Sequence, residues 1–280
     1  MRRVTQSLPI PRTAALKLLD FSRISQIAEP VRVSSRRPLP RFTVEIHDVH
    51  EFSQQAIFFF GYYEIRESLY CWRTLDEGDL FIDVGAHLGW FSLLASSLIG
   101  PRGRVVAFEP SSLMRARLQS NVELNGSANV LVSNLALSNA KGTRRLHGGQ
   151  TEHLGLLTIE SGFREIGDVA AETVEVTTFD DWWVNNGRLQ IDLMKVDVEG
   201  HEIAVMKGAT EALSAGSIRE MILEVSTSRE PDVGYGPAEI LGFLREFDGE
   251  FYRLGWGRPQ VLREGQVLEG NILVRFPGSK

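Results

Sequence analysis

LFIDVGAHLGWFS, residues Leu80–Ser92, decides the fold, read together with VVAFEP at Val105–Pro110. The first stretch opens as an apolar strand, ends in the carboxylate of Asp83 and turns through a glycine loop from Gly85 to Gly89. A helix from Trp90 to about Ile99 is expected to follow. The second stretch is another apolar strand that ends in an acid, Glu109. Strand, glycine loop, helix, strand and acid form the start of a nucleotide-type α/β fold. Its glycines let a ligand approach the backbone, and its second acid can grip ribose hydroxyls.

The glycine spacing narrows the ligand. Dinucleotide folds use G-x-G-x-x-G to seat a pyrophosphate on a helix N-terminus. Here the pattern is Gly85-x-x-x-Gly89, with Asp83 beside it. That carboxylate would repel a pyrophosphate and attract an ammonium. A ligand with adenosine at one end and an amino acid at the other, S-adenosylmethionine (SAM), suits both acids. The bland alternative is a tight turn without a ligand, since glycine is common in such turns. Two acids at successive strand ends favour the ligand.

The chain has 280 residues, 43% hydrophobic and 24% charged, an ordinary globular profile. No apolar run approaches the roughly 20 residues that span a bilayer. No apolar segment of secretory type follows Met1-Arg2-Arg3, so a cytoplasmic location is expected. The single cysteine, Cys71, excludes an internal disulfide, and no Cys/His cluster has zinc spacing. Charge is unevenly placed. Residues 1–41 carry nine basic and two acidic residues, a net of +7, so the −6 of the whole leaves −13 on residues 42–280. Residues 1–41 read as a basic, poorly packed arm, and residues 42–280 as the main domain. The arm could fold over the acidic body or mediate a homodimer. Its arginines lack the interleaved aromatics of a nucleic-acid surface, so no nucleic-acid partner is expected.

Along the body, strands are expected at Phe42–Val49, Leu80–Val84, Val130–Ser138, Thr173–Thr178, Ile191–Val198 and Arg219–Val225. Helices are expected at Glu64–Leu75, from Ser111 or Ser112 to Asn125-Gly126, from Phe179, at Glu202–Leu213 and at Pro237–Phe247. Strands near Phe251–Leu254 and Asn271–Phe276 close the chain. The alternation implies a doubly wound, mostly parallel sheet with an antiparallel C-terminal edge. The glycine-rich stretch His147–Gly162 is long enough to be functional.

Ligands of such sheets bind beyond the carboxyl ends of the strands. Glu109 is the sharpest candidate there, as an acceptor for both ribose hydroxyls; its structural alternative is to cap the next helix. Asp83 either faces the ligand's ammonium or braces the loop. The second constellation is KVDVEGHE, Lys195–Glu202. Alternation puts Lys195, Asp197 and Glu199 on one side of the strand. Crowded carboxylates favour a general base, and Lys195 could hold them ionised. Asp197, Glu199 and His201 are therefore the catalytic candidates. The reading assigns no metal, although Asp197, Glu199 and Glu224 together could take a divalent cation.

FIDVGAHLGWFS, VVAFEPSS, NVELNG, NLALSNAKG, TTFDDW and IDLMKVDVEGHEIAVMKGA occur in that order. Together they resemble the FkbM-type SAM-dependent methyltransferases, over about Leu75 to Val225. The resemblance implies a class I SAM methyltransferase, Rossmann-like fold. It also implies cofactor contacts at Asp83, Gly85, Gly89, Glu109 and Ser111, with adenine near Asn134–Ala136. The reaction it implies is O-methylation of a small molecule, natural product or glycan. His87 departs from the family, which more often has Asn there. N-methylation of an amine, a nicotinamide-dependent oxidoreductase on a related fold, and a catalytically idle ligand-binding module are the alternatives.

Overall fold

The computed structural model describes residues 29–146, 172–225, 235–263 and 270–278. A hairpin comes first, β1 (Val31–Ser34) against β2 (Thr43–Ile46), followed by α1 (Phe52–Phe60) and α2 (Ile65–Thr74). β3 (Leu80–Val84), α3 (Trp90–Ile99), β4 (Arg104–Phe108), α4 (Ser112–Asn125) and β5 (Val130–Ser133) then alternate. β6 (Ala136–Leu137), β7 (Gly142–Leu146) and β8 (Glu172–Thr177) make a small separate sheet. α5 (Phe179–Asn185), β9 (Ile191–Val196), α6 (Glu202–Lys207), α7 (Thr210–Ser214) and β10 (Ile218–Val225) follow. The chain continues through α8 (Pro237–Arg245), β11 (Glu250–Arg253), β12 (Gln260–Val261) and β13 (Gly270–Arg275).

The main sheet has the order β12-β11-β13-β10-β9-β3-β4-β5. β5, β4, β3, β9 and β10 run parallel, and β13 enters antiparallel between β10 and β11. The chain first moves outward from β3 to β5, then returns to lay β9 on the other side of β3. The order reverses between β3 and β9, which makes that crevice the switch point where ligands bind.

The apolar strands are buried on both faces, and alternate residues serve opposite layers. Leu80, Ile82 and Val84 join the layer with α5, α6, α7 and α8. Phe81, Val105, Ala107 and Leu193 join the layer with the hairpin, α2, α3 and α4. Two asparagines of α4 bind the hairpin to the rest. Asn125 accepts from Thr43 N (2.8 Å) and donates to Thr43 O (2.7 Å). Asn121 accepts from Glu45 N (2.8 Å) and donates to Leu88 O in the glycine loop (2.9 Å).

Four expectations change in detail. Residues 31–41 of the expected arm carry structure: β1 pairs with β2, Ser35 and Leu39 are buried, and the exposed Arg32 meets Glu45 at 3.1 Å. The serines there misled, because Ser35 closes the hairpin, with Phe42 N donating to its Oγ (2.9 Å). The expected strand Val130–Ser138 divides into β5 and β6, which belong to different sheets. The expected helix Glu202–Leu213 divides at Gly208, where a Cβ would stand 2.0 Å from Ser138 O. α7 then restarts with Asp180 accepting from Glu211 N and Ala212 N, both at 2.9 Å. The strand expected over Ile191–Val198 ends at Val196, before Glu199 (φ 54°) and Gly200 (φ 92°). The stretch His147–Gly162 and residues 1–28 lie outside the described residues.

Candidate active site

A cavity of about 430 Å³ opens at the switch point. Its floor is the run from Asp83 to Leu88, its walls are the ends of β4 and β9, and Glu51, the N-cap of α1, lines it with Phe52 and Ser53.

The glycine loop follows from its contacts. Gly85 N and Ala86 N both donate to Phe108 O (3.0 and 3.1 Å), which folds the loop over β4. Gly85 has φ 83°, and a Cβ on it would stand 1.9 Å from the carbonyl oxygen of Asp197. Only glycine permits both the conformation and the approach. Gly89 (φ 94°) starts α3, and a Cβ there would strike Leu118 Cδ1 at 2.4 Å.

Asp83 is 2% exposed and accepts from Ser92 Oγ at 2.6 Å, so it braces the start of α3 from the cavity floor. Burial pushes its pKa up to about 6. Glu109 takes one backbone N–H on each oxygen, from Ser111 (2.9 Å) and from His87 (2.8 Å). Each oxygen keeps a further lone pair for a ligand hydroxyl. Burial pushes Glu109 up to about 7 against those two hydrogen bonds. His87 has φ 53° and lines the cavity, and its buried Nε2 has no hydrogen-bond partner. Burial lowers its pKa, which keeps the ring neutral.

The opposite wall is a chain of charges. Lys195 lies beside Asp83 in the β3–β9 register. Its Nζ donates to Asp197 Oδ2 at 2.6 Å, stands 3.4 Å from Glu64 Oε2 and lies 4.6 Å from the centre of the Phe91 ring. Burial works against the ammonium, but Asp197 and Glu64 outweigh it and set its pKa well above the usual lysine value. Tyr63 also lines the cavity. Burial, then Glu64 and Asp197, push its hydroxyl well above the ordinary range. Asp197, Glu199 and Glu224 place one oxygen each within 4.8 Å of one another. Acidic groups of this kind are common without an ion. His201 is buried, with its Nε2 2.9 Å from Ser138 Oγ.

The three catalytic candidates, Asp197, Glu199 and His201, therefore line one cavity with Asp83, Gly85, Glu109 and Ala136. Gly89, Ser111 and Asn134 are not among its lining residues. Ser111 caps α4 through Met114 N (3.4 Å), and the exposed Asn134 yields its expected place to Leu135 and Ala136. Sequence reasoning missed Glu51, Tyr63 and Glu64. The only signal was the aromatic run Phe58–Tyr63, which marks a segment that must be covered.

A parallel sheet with this switch point, a glycine cradle and a ribose-competent acid define a SAM-binding α/β enzyme. The model of the FkbM methyltransferase domain matches residues 83–251, and the chain belongs to that family of SAM-dependent methyltransferases. Its relatives include the 31-O-demethyl-FK506 methyltransferase FkbM of Streptomyces tacrolimicus, 29% identical over 61% of this chain and 72% of that one. The hexuronic acid methyltransferase AglP of Haloferax volcanii is 27% identical over 56% of this chain and 59% of its own. The AMB antimetabolite synthetase AmbE of Pseudomonas aeruginosa is 30% identical over 56% of this chain, which spans only 9% of that protein. A solved SAM-dependent O-methyltransferase of Thermotoga maritima superposes with a TM-score of 0.46 at 15% identity, covering 89% of this chain and 94% of its own. No described helix is long and apolar enough to cross a membrane.

The residues present fit the cofactor. Asp83, Gly85 and Glu109 line the cavity, both Glu109 oxygens keep acceptor capacity, and the buried Nε2 of His87, another lining residue, has no hydrogen-bond partner in the protein.

Proposed function

We propose that the chain is an O-methyltransferase acting on a hydroxyl of a small natural product or sugar, with Asp197 as the general base. The observation that carries this is the Asp197 carboxylate, at the mouth of the switch point and fixed by a 2.6 Å bond from a buried ammonium. SAM, when bound, supplies a methyl group on a sulfonium that leaves as a neutral thioether. Glu109 holds the ribose diol and Leu135–Ala136 flank the adenine. The glycine loop and Asp83 set the amino-acid end. Asp197 accepts the proton of the attacking hydroxyl as the O–C bond forms, which contributes roughly 10²–10⁴-fold. Alignment of the two reactants supplies the larger share, about 7–11 kcal/mol. The relative FkbM is a 31-O-demethyl-FK506 methyltransferase, a name that puts the methyl group on an oxygen, and this supports the choice of O over N. The catalytic domain would begin with the β1–β2 hairpin rather than after Arg41.

Calorimetric titration with SAM and its demethylated product S-adenosylhomocysteine (SAH) tests the cofactor assignment. Micromolar binding that disappears in Glu109→Ala is the expected result. Transfer of labelled methyl to a panel of hydroxylated sugars and macrolides then tests the base. Asp197→Asn should retain SAH affinity and lose at least about 100-fold in rate. Full turnover in that variant would remove Asp197 from the mechanism.

A further inference from the structure

One half-buried acid beside Lys195 and Asp197 takes no part in those steps. Glu64 occupies the N-cap position of α2 yet makes no side-chain cap. Its backbone is left-handed, φ 39° and ψ 63°, which is uncommon and unfavourable for a residue with a Cβ. Serine, aspartate or asparagine would start the helix better. The geometry instead turns the carboxylate into the protein. Asn271 Nδ2 donates to Oε1 at 3.0 Å, and Oε2 stands 3.4 Å from Lys195 Nζ. The same Nζ donates to Asp197 at 2.6 Å. A single ammonium thus serves one acid that lines the cavity and one that does not.

We propose that Glu64 is a positioning residue for methyl transfer: it shares the Lys195 ammonium and so keeps the Asp197 carboxylate basic enough to take the acceptor's proton. The inference rests on Asp197 as the base. An ammonium bound to Asp197 alone would stabilise the ionised carboxylate so firmly that it would accept protons poorly. A second carboxylate on the far side of the ammonium offsets that pull. Asp197 also faces Asp83 and Tyr63, and Glu199 and Glu224 stand nearby. Glu64 faces Lys195, Asp197, Glu67 and the Asn271 amide. Burial pushes Glu64 up to about 7, so its charge responds within the working pH range.

The test uses the whole chain saturated with SAH and carrying ¹³C-labelled aspartate and glutamate carboxyls, titrated by NMR. In Glu64→Gln the Asp197 midpoint should fall by about one pH unit or more, as expected for losing one nearby charge. Asn271→Leu removes the donor that favours ionised Glu64, and it should move the Asp197 midpoint in the same direction. SAH affinity and the amide spectrum away from the site should stay as in the wild type. A purely structural Glu64 would alter stability and leave the Asp197 titration in place. An Asp197 midpoint unmoved in both variants overturns the proposal, while the Asp197→Asn turnover independently decides whether Asp197 is the base.

Discussion

The two walls of the cavity hold their acids in different ways. On the β3–β4 side, Glu109 is held by backbone N–H groups of Ser111 and His87, and Asp83 by Ser92. All these partners lie between Asp83 and Ser111. On the β9 side, Asp197 is held by a side-chain cation that also reaches Glu64, more than a hundred residues earlier in the chain. The first wall is a local construction that a short sequence can specify. In the second, Lys195 and Asp197 are two residues apart, but the link onward to Glu64 exists only once the sheet and α2 have come together. On the proposed function, cofactor binding would rest on the first wall and acceptor chemistry on the second.

The sharpest way to break the comparison is Lys195→Met. It leaves Asp197 and Glu64 facing each other without a cation, and breaking a buried ion pair costs about 3–5 kcal/mol. Chemical denaturation should show that loss. A variant within 1 kcal/mol of the wild type would mean that the β9 wall does not depend on its cation.

Gly85→Ala strikes the seam between the walls. Its Cβ would meet Asp197 O, in a backbone conformation that disfavours side chains. We expect a cost of about 1–3 kcal/mol, with weaker SAH binding measured by calorimetry.

A pH series separates the walls further. Glu109, raised to about 7, binds its proton more tightly folded than unfolded. It therefore favours the folded state below about pH 4.5, and that contribution is lost as pH rises toward 7. Stability of the free enzyme should fall over this window, by up to about 3 kcal/mol from this group, and Glu109→Gln should flatten the slope. SAH affinity should run the other way, weakening as pH drops below 7, because a protonated carboxyl cannot accept from both ribose hydroxyls. An affinity flat between pH 5.5 and 8 would remove Glu109 as the ribose anchor.

The smallest effect is expected at Ser111→Ala. Loss of the α4 cap should cost about 1 kcal/mol in denaturation. SAH affinity should not change, since Ser111 is absent from the cavity lining. A tenfold weaker Kd would return Ser111 to the cofactor site.

Legibility in the sequence follows the same division. The strands β3 and β4 were readable because they are buried on both faces and nearly continuous in apolar residues, and β9 and β10 because their apolar residues outnumber the charged ones among them. That Asp83, Gly85 and Glu109 share one cavity was readable, because strand ends and glycine spacing mark them. Asp197 and Glu199 were readable as strand-end acids, and Lys195 by alternation. Glu64 was not, because its partners on β9 and β13 are invisible from its own neighbourhood. The hairpin was missed because its serine and prolines imitate a linker. The break at Gly208 was missed because it goes with long-range contacts, the Asp180 N–H bond to Gly208 O and the close approach of Ser138 O, of which helical periodicity carries no trace.

The two asparagines of α4 carry a consequence of their own. Asn121 holds the Glu45 amide of the hairpin with one end and the Leu88 carbonyl of the glycine loop with the other. Any shift of that loop on filling or emptying would reach the part-buried Glu45 amide through this one side chain. The rate at which Glu45 exchanges its amide hydrogen with solvent should then act as a gauge, readable at the rim, of whether the loop below is loaded.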